Sequence, residues 1–176
     1  MIGILQKGPL GSTDNPDLAV RMWAEAQENS GERLMRQLLT EDNLDDEYRR
    51  RLWAFSITHA KNFGAEFFLE IIPQISALDS ISETIKAIFD EFSKVLAVLS
   101  TKELQAEMAT RLMGQFKNAS SNTTKGRIAE ACNRMIGQEA LKKFKPETLS
   151  KDEYEILVGH FGASPLKKFE KLLERP

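Results

Sequence analysis

Apolar residues along this chain recur at three- and four-residue intervals almost from end to end, the spacing that lays one face of an α-helix against a core. After Asn15-Pro16-Asp17, a capping side chain followed by proline and an acid, Ala19, Met22, Trp23 and Ala26 keep helical spacing. The pattern pauses at Gly31 and resumes at Leu34, Met35, Leu38 and Leu39. An acidic connection (Thr40 to Glu47) leads into Tyr48, Leu52, Phe55, His59 and Phe63, with Arg49-Arg50-Arg51 placed to pair with the acids one turn earlier. Gly64 predicts a break, Phe67, Phe68, Ile71 and Ile72 the next segment, and Pro73 its kink or end.

Ser80-x-x-Glu83, Ser100-x-x-Glu103 and Ser150-x-x-Glu153 each match the capping box, in which a hydroxyl and a carboxylate satisfy two unpaired amides reciprocally. From Ile81 a single helix of five turns is expected, with Ile81, Ile85, Ile88, Phe92, Val95, Leu96 and Leu99 on one face. The next helix carries Leu104, Met108, Leu112 and Phe116. Asn118 to Gly126 reads as a polar loop between antiparallel helices. A helix with Ile128, Ala131, Cys132 and Met135 follows, interrupted at Gly137 and ended by Pro146. Two more carry Tyr154, Leu157, Val158 and Phe161, then Leu166, Phe169, Leu172 and Leu173. No strand pattern and no period of 20–50 residues appears. The expected fold is all-α, an irregular helical bundle of about seven to nine helices, with a short stack of helix hairpins as the alternative packing.

Gly8-Pro-Leu-Gly-Ser12 has the form of a tag-removal scar, yet seven residues precede it. It is either native or part of an engineered stretch within 1–12. Residues 1–14 are therefore set apart as a flexible N-terminal segment, and 15–176 are expected to form one helical domain of ordinary size.

Composition adds little to this picture. An apolar fraction of 41% and a charged fraction of 28% are ordinary for a folded domain. The most apolar run, Phe67 to Leu78, is interrupted by Glu70, Pro73 and Gln74 and is too short for a membrane span. Met1 to Leu5 is too short for a secretory signal. The single Cys132 has no internal disulfide partner, so a reducing, cytoplasmic setting is expected, and the sequons at Asn118 and Asn122 are read as chance.

Candidate chemistry is sparse. His59 and His160 lack partners at metal-ligand spacing, and no glutamate lies three residues before either, so no metal site is expected. His59 continues the apolar face of Leu52 and Phe55 and reads as a partly buried, satisfied histidine. His160 reads as helix-terminal, where the helix dipole favours a cation. Cys132 sits on a small-residue helical face and reads as a buried structural thiol. No glycine loop for phosphates is present, and no cofactor is expected. The C-terminal Leu157 to Ser164 stretch has the outline of a helix-turn-helix with Gly162 at the turn. Lys168 and Lys171 stand where that motif needs apolar residues, so an ordinary helical hairpin is expected.

Charge is distributed unevenly. Residues 1–100 hold 10 bases and 16 acids, and residues 101–176 hold 14 bases and 10 acids. Within 111–145 the bases Arg111, Lys117, Lys125, Arg127, Arg134, Lys142, Lys143 and Lys145 face only Glu130 and Glu139. That segment is the candidate anion or nucleic-acid contact, with pairing to the protein's own acids as the competing reading. By elimination, the expected function is a non-enzymatic helical protein–protein interaction module (an adaptor, regulator or assembly component). Its partner is another protein or a second copy of the chain. Nucleic-acid binding through 111–145 is the alternative.

Overall fold

A computed structural model describes residues 28–41, 44–78, 82–119 and 121–173. The expected helix start at Asn15 and the segment around Trp23 lie outside the described residues. The fold is all-α: among the described residues there are nine α-helices, two 3-10 segments and no strand beyond one isolated bridge. They group into two compact units, one of residues 28–71 and 82–98, the other of residues 72–78 and 99–173.

The first unit contains α1 (Glu28–Thr40), α2 (Asp46–Thr58), the first part of α3 (Ala60–Ser76), α4 (Ser82–Asp90) and α5 (Phe92–Val98). Helix α1 runs straight through Gly31. Asp45 caps α2, its carboxylate accepting the Tyr48 amide at 3.0 Å, and Asp46 and Glu47 place negative charge in the first turn. Tyr48, Leu52, Trp53 and Ile57 bury one face of α2. Trp53 meets Phe68 of α3 edge to face at 5.9 Å.

Gly64 breaks α3 as expected, at φ 72° and ψ 179°, a left-handed region that costs glycine little. Pro73 does not end the helix, which continues to Ser76. Its flanks explain this. Leu69, Ile71, Ile72 and Ile75 are all fully buried, each contributing roughly 1.5–3 kcal/mol, against about 3 kcal/mol for a proline inside a helix.

The five-turn helix expected from Ile81 is two helices, with Glu91 outside both and the Lys94 amide donating to the Glu91 carbonyl at 2.8 Å. Most of the stripe survives the break: Ile85, Ile88, Phe92, Val95 and Leu99 are buried, Leu96 is half-buried, and Ile81 lies outside the described residues. The expected Ser80 cap lies outside the described residues, and a side chain from α2 reaches the first turn of α4. The Asp46 carboxylate accepts the Glu83 amide at 3.1 Å, the Thr84 amide at 3.4 Å and the Thr84 hydroxyl at 2.5 Å. One aspartate thus begins α2 with its backbone and closes the first turn of α4 with its side chain, joining two helices 37 residues apart.

The second unit holds α6 (Lys102–Gln115), α7 (Asn122–Ile136), a 3-10 turn (Gly137–Glu139), α8 (Ala140–Lys143), α9 (Lys151–Phe161) and a 3-10 helix (Ser164–Leu172). Thr101, not Ser100, caps α6, accepting the Leu104 amide at 3.3 Å. Helix α7 begins inside the stretch expected to be a loop. Ser121 caps it by accepting the Thr124 amide at 3.1 Å, and Thr124 is buried. Capping and burial override the weak helix propensities of Thr and Gly. A Cβ on Gly126 would lie 3.7 Å from the His160 imidazole, an ordinary contact distance, so α9 passes close to α7 there. The Asn133 side-chain Nδ2 donates to the His160 carbonyl at 3.0 Å at the same crossing.

The Ser150/Glu153 capping box is present in full. The closing segment, expected as an α-helix, is a 3-10 helix in which Leu166 and Phe169 are buried. Leu166, Phe169 and Leu172 stand three apart, which three residues per turn align on one edge. The Leu149 amide then donates to the Leu172 carbonyl at 2.9 Å, and Leu149 bridges Leu173.

Candidate functional site

The basic segment does not form one free cationic face. Lys117 follows the end of α6, and Lys125 lies in the second turn of α7. Both ammonium groups converge on Glu153 of α9, at 2.6 and 2.8 Å. Glu153 is only 3% exposed, and its carboxylate also accepts the Ser150 amide at 3.0 Å. Burial by itself pushes the Glu153 carboxyl up. The hydrogen bonds from Lys117, Lys125 and Ser150 more than offset that and hold it at about 2. This carboxylate therefore ties three helices together.

The other six bases are dispersed. Arg111 pairs with Glu107 at 2.6 Å and Lys142 with Glu139 at 2.7 Å, both on exposed helical surface where such pairs contribute little. Arg127 is half-buried on α7. Arg134 lies exposed in the last turn of α7, and Lys143 and Lys145 are exposed at and beyond the end of α8. Among the described residues these last three have no acidic partner.

Cys132 is fully buried and donates to the Ala109 carbonyl at 3.6 Å, and burial pushes its thiol far up. His160 closes α9 as expected. His59 departs from expectation. It is exposed at the C-cap of α2, its ring against Phe55 at 4.2 Å between centroids. The apolar face turns away there because α2 stops at Thr58. Among the described residues no group of three or more His, Cys, Asp or Glu is placed to hold a metal ion, and no helix is long and apolar enough to cross a membrane.

Each unit carries an open groove among its described residues. In the first unit a groove of about 730 Å³ follows the α2–α3 turn, bordered by His59, Lys61, Asn62, Gly64 and Lys94. In the second, a groove of about 610 Å³ runs beside α9, lined by Lys151, Tyr154, Glu155, Val158, Gly159 and Leu173. Five of these six lie on α9 at one- to four-residue steps, and Leu173 is brought in by its bridge to Leu149. Tyr154 donates from its hydroxyl to Glu170 at 3.3 Å. Leu157 and Phe161 go to the core, while Tyr154 and Val158 stay half-buried. The sequence pattern places all four on one apolar face and does not separate core from groove. Compared with protein families, curated proteins and solved structures, the chain matches none.

Proposed function

We propose that this chain is a non-enzymatic helical interaction module, an adaptor, regulator or assembly component, that seats an amphipathic helix of a protein partner beside α9. The observation that carries the reading is the groove of about 610 Å³ along that helix. From Lys151 to Gly159 it runs roughly 12 Å at helical rise, enough for two turns of a partner. Its lining includes Val158, Gly159 and Leu173, and Lys151 and Glu155, an exposed pair at 3.7 Å, bring both signs of charge. Such a surface suits a helix presenting apolar anchors at three- and four-residue spacing with charged flanks.

Gly159 gives the test. A Cβ there meets nothing within 4 Å, so a side chain can be added beside the groove with no clash at its first atom. Replacing glycine inside a helix also favours the helical backbone by up to about 1 kcal/mol. Amphipathic helical peptides selected from a displayed library against the full chain are expected to shift amide resonances of 151–159 and 173. They are expected to bind Gly159→Trp at least tenfold more weakly. A selection that yields no binder, or binders indifferent to Gly159→Trp, removes this reading.

A second reading is nucleic-acid binding, supported by the exposure of Arg134, Lys143 and Lys145. Fluorescence anisotropy with short RNA and DNA is then expected to show affinity that falls as salt rises, because bound cations release counterions. Charge reversal at all three positions should weaken it more than tenfold. Absence of binding at low salt rejects the reading.

A further inference from the structure

The groove in the first unit has a different character from the one beside α9. Helix α2 ends at Thr58, and His59 turns the chain at φ −106° and ψ 29°. Gly64 interrupts the helix after Phe63, and the helical path restarts at Ala65. Gly64 and Ala65 both line the groove, so the start of the segment 65–76 borders it. Helix starts of this kind favour anions.

The side chains reinforce that preference. Lys61 is exposed and has no acidic partner among the described residues. Lys94 approaches from α5 and is 60% exposed; its contact is Glu91 at 3.3 Å, a surface pair that is readily exchanged. His59 and Asn62 bring polar groups to the same rim, and no carboxylate lines the groove. Ile57, Ala97 and Val98 add apolar groups to the lining. The combination is two ammonium groups and a helix start beside a hydrocarbon surface, in a volume of about 730 Å³. That volume exceeds the needs of a bare inorganic anion and falls within the range of small-molecule sites.

We propose that this groove binds a small soluble phosphomonoester, its phosphate held by Lys61, Lys94 and the amides at Ala65 and its uncharged body laid on Ile57, Ala97 and Val98. Phenyl phosphate is the probe, titrated into the full-length isotope-labelled chain and followed by amide shifts. The expected result is shifts confined to 57–65 and 94–98, with affinity that falls as salt rises. Lys61→Gln with Lys94→Gln is expected to weaken binding at least tenfold, while Lys61→Arg with Lys94→Arg keeps it within about threefold. Inorganic phosphate is expected to bind more weakly at the same residues, and phenol not to bind. Equal binding of phenol and phenyl phosphate would show an apolar cleft with no phosphate selectivity and overturn the proposal. So would shifts elsewhere in the chain, or an unchanged affinity in a glutamine variant whose circular dichroism matches the parent. Adsorption to phosphatidic acid vesicles without any response to phenyl phosphate overturns the assignment of a soluble ligand. If the glutamine variant does not fold, the arginine variant and the salt dependence of the parent chain decide the matter.

Discussion

Replacing Glu153 with Gln is expected to destabilise the protein at pH 7 and to flatten its stability profile in acid. The folded structure holds this carboxyl at about 2, against 4.5 for a free glutamate. The native state therefore keeps it ionised where the unfolded chain has begun to take up protons. Its contribution is complete above about 4.5 and disappears as the pH falls through about 2. At 1.36 kcal/mol for each pH unit of displacement, the contribution is on the order of 3 kcal/mol. Loss of the charge also leaves Lys117 and Lys125 gathered around a neutral amide, and breaking such a buried pair costs a similar amount. Urea midpoints of parent and variant between pH 7 and 2 provide the measurement. The gap should be widest at pH 7 and close at the acid end. Glu47, held at about 2 by hydrogen bonds from Arg50 and Arg51, titrates over the same window in both proteins. Only the difference between them reports on Glu153. A constant gap across the range would mean that the carboxylate contributes by packing rather than by charge.

Trp53→Ala should cost more, about 3–5 kcal/mol, because it removes the largest fully buried side chain among the described residues. Trp53 is 0% exposed, and its edge-to-face contact with Phe68 joins α2 to α3. Trp53→Phe should cost far less than the alanine variant. It keeps a ring against Phe68, and it removes an indole N–H that is buried without a hydrogen-bond partner among the described residues. Deleting a donor that makes no bond forfeits no hydrogen-bond energy. Denaturant midpoints of the two variants separate these terms. Equal destabilisation by Phe and Ala would mean that the indole makes a polar contact essential to the fold.

How much of this was legible in the chain differs from element to element. Helical spacing alone marked Leu52, Ile88, Leu112, Ile128 and Leu157 as core, and each is buried, because a three-to-four-residue period admits only one inward face. Gly64 and Gly162 marked breaks that the backbone takes at positive φ, a preference carried by the glycine itself. The Ser150/Glu153 cap was legible for the same reason: its partners lie three residues apart.

Contacts that cross the sequence were not. Nothing near Glu83 announces that Asp46 caps its helix from 37 residues away. Pro73 reads locally as a terminator, and only the burial around it keeps α3 intact. The basic run 111–145 reads as one patch. Its division between a buried carboxylate, short-range surface pairs and a few exposed bases depends on where α9 lies against α6 and α7. The two grooves are likewise invisible in the pattern, since Tyr154 and Val158 have the same spacing as core residues and His59 the spacing of its helix. The sequence by itself determined the helical class and most of the inward faces, which depend on local periodicity and backbone preference. Tertiary structure decided which charges are consumed and which surfaces stay open, because burial and pairing energies arise only when distant segments meet.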